Sequence, residues 1–404
     1  MNMLVTKHSM YLPVLIVLGL LSSWSASGQV DFQADIVLYD ATIYTADDTF
    51  PKAQAAAITG TRITAVGSNS QIREFEGPDT LVTRLSGLTV VPGLIDADCR
   101  MLEFGRKLCG VDAAEPEGGG EKEMLAAAID ACVEVGLTGV HDFRAGPDVI
   151  ELYKDLMDDG RLKLRVYAIA DTLIERPVIG LGNNMLTVRS VGLVCDEPGG
   201  PLTASGEDLC AATKTALERG LQVCTRATGE RAVHTVLDAY ERALQDVPVR
   251  DHRLRIAGAQ GLSDADLPRL AGLGVIPSIC PVQLMADGKE HIDTWRGVIG
   301  TGSIVPAGSG FPASPHNPLL GFHAAVTRME MTRDEALKSY TVWPAEAAFE
   351  RDRKGSIVPG KLADLVILDS DIMSCPPEKI PETKVIMTVV GGHPVYRSTG
   401  PETK

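Results

Sequence analysis

The chain has no excess of positive charge. Its 404 residues hold 38 Lys and Arg against 53 Asp and Glu, a formal net charge of −15. The electrostatic footprint of a nucleic-acid binder is therefore missing, and acidity of this size bears on solubility rather than on fold. The eight cysteines (Cys99, Cys109, Cys132, Cys195, Cys210, Cys224, Cys280 and Cys375) form no C-x-x-C pair and no zinc-finger spacing. Most of them read as buried thiols serving as small apolar residues. Internal repeats and low-complexity tracts are also lacking. The nearest approach is the charged, Gly-rich connector Ala113-Ala-Glu-Pro-Glu-Gly-Gly-Gly-Glu-Lys-Glu. Beyond the N-terminal segment no apolar run is long enough to span a bilayer.

That N-terminal segment reads as a secretory signal. Lys7 and His8 make a polar n-region, Tyr11 to Leu21 an apolar stretch, and Ala26 and Gly28 suit cleavage before Gln29. An uncleaved anchor is the alternative, but the stretch is short for a membrane span. The expectation is a signal peptide over residues 1–28, and an exported protein, periplasmic or secreted, with no membrane contact after cleavage.

Residues 35–90 alternate apolar and polar positions between turn residues, as in Asp35-Ile-Val-Leu-Tyr-Asp-Ala-Thr-Ile-Tyr and Arg62-Ile-Thr-Ala-Val-Gly. The texture returns at Ala363-Asp-Leu-Val-Ile-Leu-Asp and Val385-Ile-Met-Thr-Val-Val-Gly-Gly. Shared texture at both ends suggests one small β-sandwich domain built from residues 29–88 and 351–404. Between them, strand candidates fall at 89–98, 137–142, 164–170, 188–194, 221–227, 253–258, 274–280 and 303–309. Helical patterns fall at 121–135, 147–159, 205–219, 229–246 and 332–349, with a weaker one at 263–272. Eight strands alternating with helices match a (β/α)8 TIM barrel over residues 89–350. A doubly wound open sheet would give the same alternation; the enclosing β-domain favours the barrel.

The run Val90-Val-Pro-Gly-Leu-Ile-Asp-Ala-Asp-Cys-Arg resembles the first barrel strand of the amidohydrolase superfamily, in which Pro-Gly-Leu-Ile-Asp-Ala leads into a His-x-His metal pair. Leu162-Lys-Leu-Arg-Val-Tyr-Ala, Gly229-Glu-Arg-Ala-Val-His-Thr-Val-Leu-Asp-Ala-Tyr-Glu, Ser314-Pro-His-Asn-Pro-Leu-Leu-Gly and Gly355-Ser-Ile-Val-Pro-Gly-Lys-Leu-Ala-Asp-Leu-Val-Ile-Leu-Asp extend the likeness over nearly the whole chain. They are most similar to the amidohydrolase 3 branch, with its D-aminoacylase-like and N-substituted formamide deformylase-like hydrolases of C–N bonds. The resemblance implies zinc held by the His pair, a strand-four lysine, one His each on strands five and six, and an Asp on strand eight. The matching positions here are Asp98, Arg100, Gly192, Arg226, Gly258 and Gly310. A long insertion after strand one, usual in the family, is reduced to the connector.

A guanidinium has no acceptor and stays protonated, so it cannot replace an imidazole on zinc. The resemblance therefore implies a metallohydrolase scaffold, and these residues contradict its metal site, so no metal or other cofactor is expected. A new soft-metal site could draw on Asp98, Cys99, Cys195, Asp196 and Cys224, but strand neighbours face opposite ways. A Ser309 nucleophile would need His316 or His141 as its base. His141 and Asp142 end strand two and either line the pocket or make structural hydrogen bonds. His316 reads as a loop-ordering residue or a ligand contact. Arg100 and Arg226, converging on Asp98, would leave a net positive pocket for a small anionic ligand, or would simply fill the space. The expectation is a pseudoenzyme or anion-binding member of the family, with no catalytic residue assigned. An active amide hydrolase using a non-standard site in the same barrel mouth is the alternative. The sequence leaves open whether the chain forms a homo-oligomer.

Overall fold

The structure, a computed structural model, describes residues 33–111, 120–287 and 292–399. The expected signal peptide and most of the charged connector lie outside the described residues. Seven parallel strands run in sequence order around one sheet: β1 (Leu94–Cys99), β2 (Leu137–Ala145), β3 (Arg165–Ala170), β4 (Leu186–Val194), β5 (Gln222–Arg226), β6 (Arg255–Ala257) and β7 (Ile276–Pro277). A short strand, Val178–Gly180, pairs antiparallel with β4 as the eighth member of the sheet. β1 and β3 are buried along their whole length, as strands covered on both faces must be.

Helices pack on the outside for reasons visible in the sequence. In α1 (Glu230–Asp246), Ala232, Val233, Val236, Leu237, Tyr240 and Ala243 make one buried stripe at helical spacing. Tyr240 Oη also lies 2.8 Å from the carbonyl of Arg255, so this helix is tied to the β6 backbone. The helix Gly206–Glu218 starts at Ser205, whose side chain accepts from the Asp208 amide.

The eighth strand position is filled differently from the expectation. Residues 303–309 form no regular ladder, yet the chain from Val305 to Phe311 bonds to both edges. Ile279 N donates to Pro306 O (3.1 Å) and Gly308 N to Ile279 O (2.8 Å) on one side. Ala97 N to Ala307 O (3.0 Å), Gly310 N to Asp98 O (2.8 Å) and Arg100 N to Phe311 O (3.0 Å) complete the ring on the other. Pro306 has no N–H to give, which shortens any ladder here. β6 is also shorter than expected, bracketed by left-handed backbone at Arg253 (φ 44°) and Gly258 (φ 68°). The closing helix expected over 332–349 is two helices, Arg333–Ser339 and Val342–Ala347. Pro344 is the cause: in a continuous helix its ring would clash with the carbonyl of Tyr340.

Two further sheets combine the chain ends. One has four strands, ordered Arg62–Gly67, Ala55–Thr59, Ile36–Tyr39 and Leu81–Arg84. The other has six, ordered His393–Arg397, Val385–Val390, Leu365–Leu368, Thr89–Pro92, Thr42–Tyr44 and Lys52–Ala53. Leu38, Ile58 and Ile63 of the first share a buried cluster with Ile43, Val90, Leu365 and Val389 of the second. A buried fork joins them to the barrel: Arg165 Nε and Nη2 donate to Asp364 at 2.7 and 2.9 Å.

Ring closure sets a tight steric condition at Gly308. A Cβ there would lie 2.4 Å from Asp98 N and 2.8 Å from Asp96 Oδ1. Gly308→Ala is therefore expected to destabilise the chain by at least the ~1–3 kcal/mol of ordinary overpacking. The check is the denaturant midpoint against wild type.

Candidate functional site

The carboxyl ends of the strands open into two adjoining cavities of about 350 and 340 Å³. Asp98, Pro198, Arg226, Gly310 and Ala313 border both. Arg100, Glu103, Lys107 and Glu197 line the first, and Thr228, Gly258, Gln260, Cys280 and Gln283 the second.

Their centre is an ion pair. Arg226 Nη2 donates to Asp98 Oδ1 at 3.0 Å and to Oδ2 at 3.3 Å, with the two side chains 15% and 4% exposed. Asp98 is the chief reason the guanidinium is held even more firmly protonated than usual. The ring of Phe143 lies 4.8 Å beneath it. Cys280 Sγ stands 3.9 Å from Asp98 Oδ2; burial pushes its thiol well up, so it stays protonated.

Arg100 lines the same cavity but does not reach Asp98. Its Nη1 donates to Glu103 at 3.2 Å, as a half-exposed pair at the rim. Among the described residues, three cations border the first cavity (Arg100, Lys107 and Arg226) and face three carboxylates (Asp98, Glu103 and Glu197). Of the two alternatives, a net positive pocket or arginines bridging to acidic neighbours, the described residues match the second, with Glu103 and Glu197 approaching from segments that the strand ends do not include.

The remaining expected residues separate. Gly258 and Gly310 border the second cavity. Gly192 lines neither; a Cβ there would meet Arg144, Ile169 and Phe143 within 3.0–3.4 Å. Asp142 turns outward: Oδ1 accepts from the Met101 amide at 2.9 Å and Oδ2 from Tyr153 Oη at 2.8 Å. His316 packs against Phe104, ring centroids 4.7 Å apart, away from both cavities. His141 is fully buried inside the barrel, where its Nδ1 takes a hydrogen bond from Arg255 Nη1 at 2.9 Å. None of these three lines the mouth.

Sequence reasoning missed Arg255, Gln260 and Gln283. Gln283 fills the room beside Gly310, with its Nε2 2.5 Å from where a Cβ would stand. Only Arg255 left a readable signal, a basic residue at an inward position of Arg253-Leu-Arg-Ile-Ala.

The donors present do not fit a zinc ion. Among the described residues no three His, Cys, Asp or Glu side chains converge as a metal centre requires, and Asp98 is already bonded to a guanidinium.

Two outcomes follow from these contacts. Arg226→Met leaves Asp98 as an unpaired buried charge and is expected to cost ~3–5 kcal/mol. Adding Asp98→Asn should recover much of that loss in a double-mutant cycle read by denaturant unfolding. The second concerns Asp96, below the mouth, where burial raises the carboxyl from 3.8 to about 7. Between those values the folded chain holds a proton that the unfolded chain has released, so this group costs stability as pH rises. His141 acts oppositely: burial and then Arg255 keep its ring neutral, so stability falls as pH drops below about 6.5. Asp96→Asn removes the first slope alone. Relative to wild type it should lose stability on acidification from pH 7 to 4, by up to ~1.4 kcal/mol per unit. Parallel stability curves for the two proteins would show that Asp96 titrates normally.

Comparison with known proteins matches residues 108–396 to the model of the amidohydrolase family. Putative amidohydrolase YtcJ of Bacillus subtilis is 26% identical over 328 residues, 69% of this chain and 61% of the relative. N-substituted formamide deformylase of Arthrobacter pascens is 30% identical over 205 residues, 45% and 38% of the two chains. Protein LONG AFTER FAR-RED 3 of Arabidopsis thaliana is 31% identical over 214 residues, 47% and 36%. The aligned regions thus span between 36% and 61% of these relatives' lengths. Among solved structures, an uncharacterized metal-dependent hydrolase from Pyrococcus furiosus superposes with a TM-score of 0.73 at 19% identity, covering 84% of this chain and all of that one. Molinate hydrolase gives 0.70 at 16%, covering 92% and 99%. The structural likenesses establish a TIM-barrel-like α/β fold, and the family match establishes the lineage: this chain belongs to the amidohydrolase family, in its amidohydrolase 3 branch.

Proposed function

We propose that this amidohydrolase-family protein uses its barrel mouth as a metal-free pocket for a small carboxylate-bearing ligand and no longer performs metal-assisted hydrolysis. The observation that carries the reading is the Arg226 guanidinium, 3.0 Å from Asp98, at positions the resemblance gives to metal ligands. A metal ion lowers the pKa of bound water to about 7 and so supplies hydroxide at neutral pH. Arg226 cannot do this, and as a fixed cation it repels a dication by roughly several kcal/mol at an intermediate dielectric.

The ligand class follows from which ion pair opens most easily. Asp98 and Arg226 are buried together, and separating them strands a charge. Arg100 and Glu103 are half-exposed, and such pairs contribute only ~0–1 kcal/mol. A ligand carboxylate can therefore displace Glu103 from Arg100, beside Lys107, at little cost. Gln260, Gln283 and Thr228 of the second cavity offer neutral donors and acceptors to the rest of the molecule. The alternative, an active hydrolase of amide bonds with a non-standard site, draws support from the likeness to N-substituted formamide deformylase.

The wider reading includes three further parts. The shared apolar cluster of the two terminal sheets supports a small sandwich domain. The Tyr11–Leu21 stretch supports export, and the net charge of −15 argues against a nucleic-acid partner.

Elemental mass spectrometry after zinc incubation and desalting tests the central claim. Zinc near zero per chain is expected, with N-acyl amino acids binding in calorimetry and binding weakened about tenfold by Arg100→Ala. One tightly held ion per chain, with chelator-sensitive turnover of N-acyl amino acids or substituted formamides, would overturn it.

A further inference from the structure

One arginine at the mouth is turned inward by strained backbone and has no partner. Among the described residues eight that are not glycine have positive φ, and of these only Arg144 (φ 62°) lies inside a barrel strand, one residue before the end of β2. Side chains with a Cβ rarely adopt that region, and such strain persists where the surrounding structure imposes it. The strand pairing shows how it arises. Phe143 pairs with Ile169 of β3 and Ala145 with Ala170, so Arg144 is the extra residue of a β-bulge. A bulge breaks the alternation of side chains and re-aims one of them.

Its direction is fixed by its neighbours. Phe143, Tyr167, Ile169, Cys224 and Ala257 belong to one buried cluster. They come from β2, β3, β5 and β6, and strands so far apart around the ring meet only inside the barrel. A Cβ on Gly192 of β4 would point into that cluster, 3.2 Å from Ile169 Cγ2 and 3.4 Å from Phe143 Cε2, and the third atom beside it is Arg144 Cγ at 3.0 Å. Phe143 and Arg144, consecutive residues of one strand, thus approach the same interior point. The stem of Arg144 enters the top of the barrel through the space that Gly192 leaves open.

The head of this side chain is unused. Arg144 is exposed and makes no hydrogen bond or ion pair among the described residues. The other arginines of the mouth are engaged, Arg226 with Asp98 and Arg100 with Glu103. The Phe143 ring carries the Arg226 guanidinium at 4.8 Å, and Arg226 borders both cavities. Arg144 therefore stands one aromatic ring away from the centre of the mouth.

We propose that Arg144 is a ligand-binding residue of the mouth and that the ligand is a small dicarboxylate, held by Arg100 and Lys107 at one end and by Arg144 at the other. This inference rests on the reading of the mouth as a carboxylate pocket and narrows its ligand class. A guanidinium keeps its charge and offers a planar fork that matches a carboxylate. Arg100 must give up Glu103 to take the first carboxylate, whereas Arg144 has no acid to give up. The second carboxylate therefore meets a cation with no competing anion.

Calorimetry with matched ligands tests the proposal: N-acetylaspartate against N-acetylasparagine, and N-acetylglutamate against N-acetylglutamine, each pair differing by one carboxylate. In at least one pair the acid is expected to bind about tenfold more tightly than its amide, the gain of one charge-assisted contact. Arg144→Met keeps the stem and should erase that difference while leaving the amide's affinity unchanged; Arg144→Lys should retain part of it. Arg144→Gly suits the left-handed backbone, so its denaturant midpoint should rise as the discrimination is lost. Equal binding of acid and amide in both pairs, unchanged in Arg144→Met, would overturn the proposal and leave the carboxylate pocket standing. Binding of none of the four would overturn the pocket and this inference together. A lower midpoint in Arg144→Gly, with the discrimination intact, would also overturn it by showing that the side chain only fills space over Gly192.

Discussion

A single carboxylate, that of Asp96, ties the first strand of the barrel to the segment that completes its ring. It accepts from Ser309 N at 3.1 Å, from Ser309 Oγ at 2.6 Å and from the Asp98 amide at 3.0 Å. These bonds do what a regular ladder does elsewhere in the barrel, because Pro306 and the Gly-Ser-Gly turn limit backbone pairing. The position of Asp98 depends on that closure. Two residues beyond Asp96 on the same strand face, it is delivered to the floor of the mouth with its own carbonyl bonded across to Gly310 N.

A carboxylate fixed so deep needs a positive partner, since an unpaired buried charge is far more costly than a paired one. The resemblance implies a metal-bound histidine at this position, so the need for a cation here arises with the carboxylate itself. Arg226 reaches the Asp98 oxygen atoms from β5, and its planar head rests on Phe143. The electrostatic demand is met by a group that offers neither an open coordination position nor a way to acidify water. Asp98 and Arg226 are thereby coupled, and either residue alone would be a liability.

Much of the fold was legible because burial leaves a strong pattern. The apolar runs of β1 and β3 and the stripe of Ala232, Val236 and Tyr240 are periodic signals that packing preserves. What escaped was set by backbone and by long-range contact. The split at Pro344 is local chemistry that the apolar pattern overrode. The irregular path of 305–311 follows from its two neighbours in space, which no local window contains. The mouth was legible as a list of changed positions, and the Asp98–Arg226 pairing agrees with the converging charges read there. The partner of Arg100 was not legible, although Glu103 is only three residues away, because a rim side chain chooses among several acids at little energetic difference. Arg255 left a weaker signal because it lies one layer below the strand ends, inside the barrel.

The glycines at the mouth are held to their residue type by backbone conformation and by close neighbours. Gly258 and Gly310 have φ of 68° and 70°, a region that side chains with a Cβ rarely adopt. A histidine at the first or an aspartate at the second would be strained before any clash is counted. The Gln283 amide already fills the room at Gly310, and Phe143 and Ile169 fill that at Gly192. Gly192, Gly258 and Gly310, three of the six positions that the resemblance gives to metal ligands, are thus closed by their neighbours or by their own backbone. A single substitution of one of these glycines by a metal-ligating residue meets these local barriers while Arg226 still occupies Asp98. The pocket, the ion pair and the backbone of the loops form one mutually dependent arrangement, held in place by the closure at Asp96.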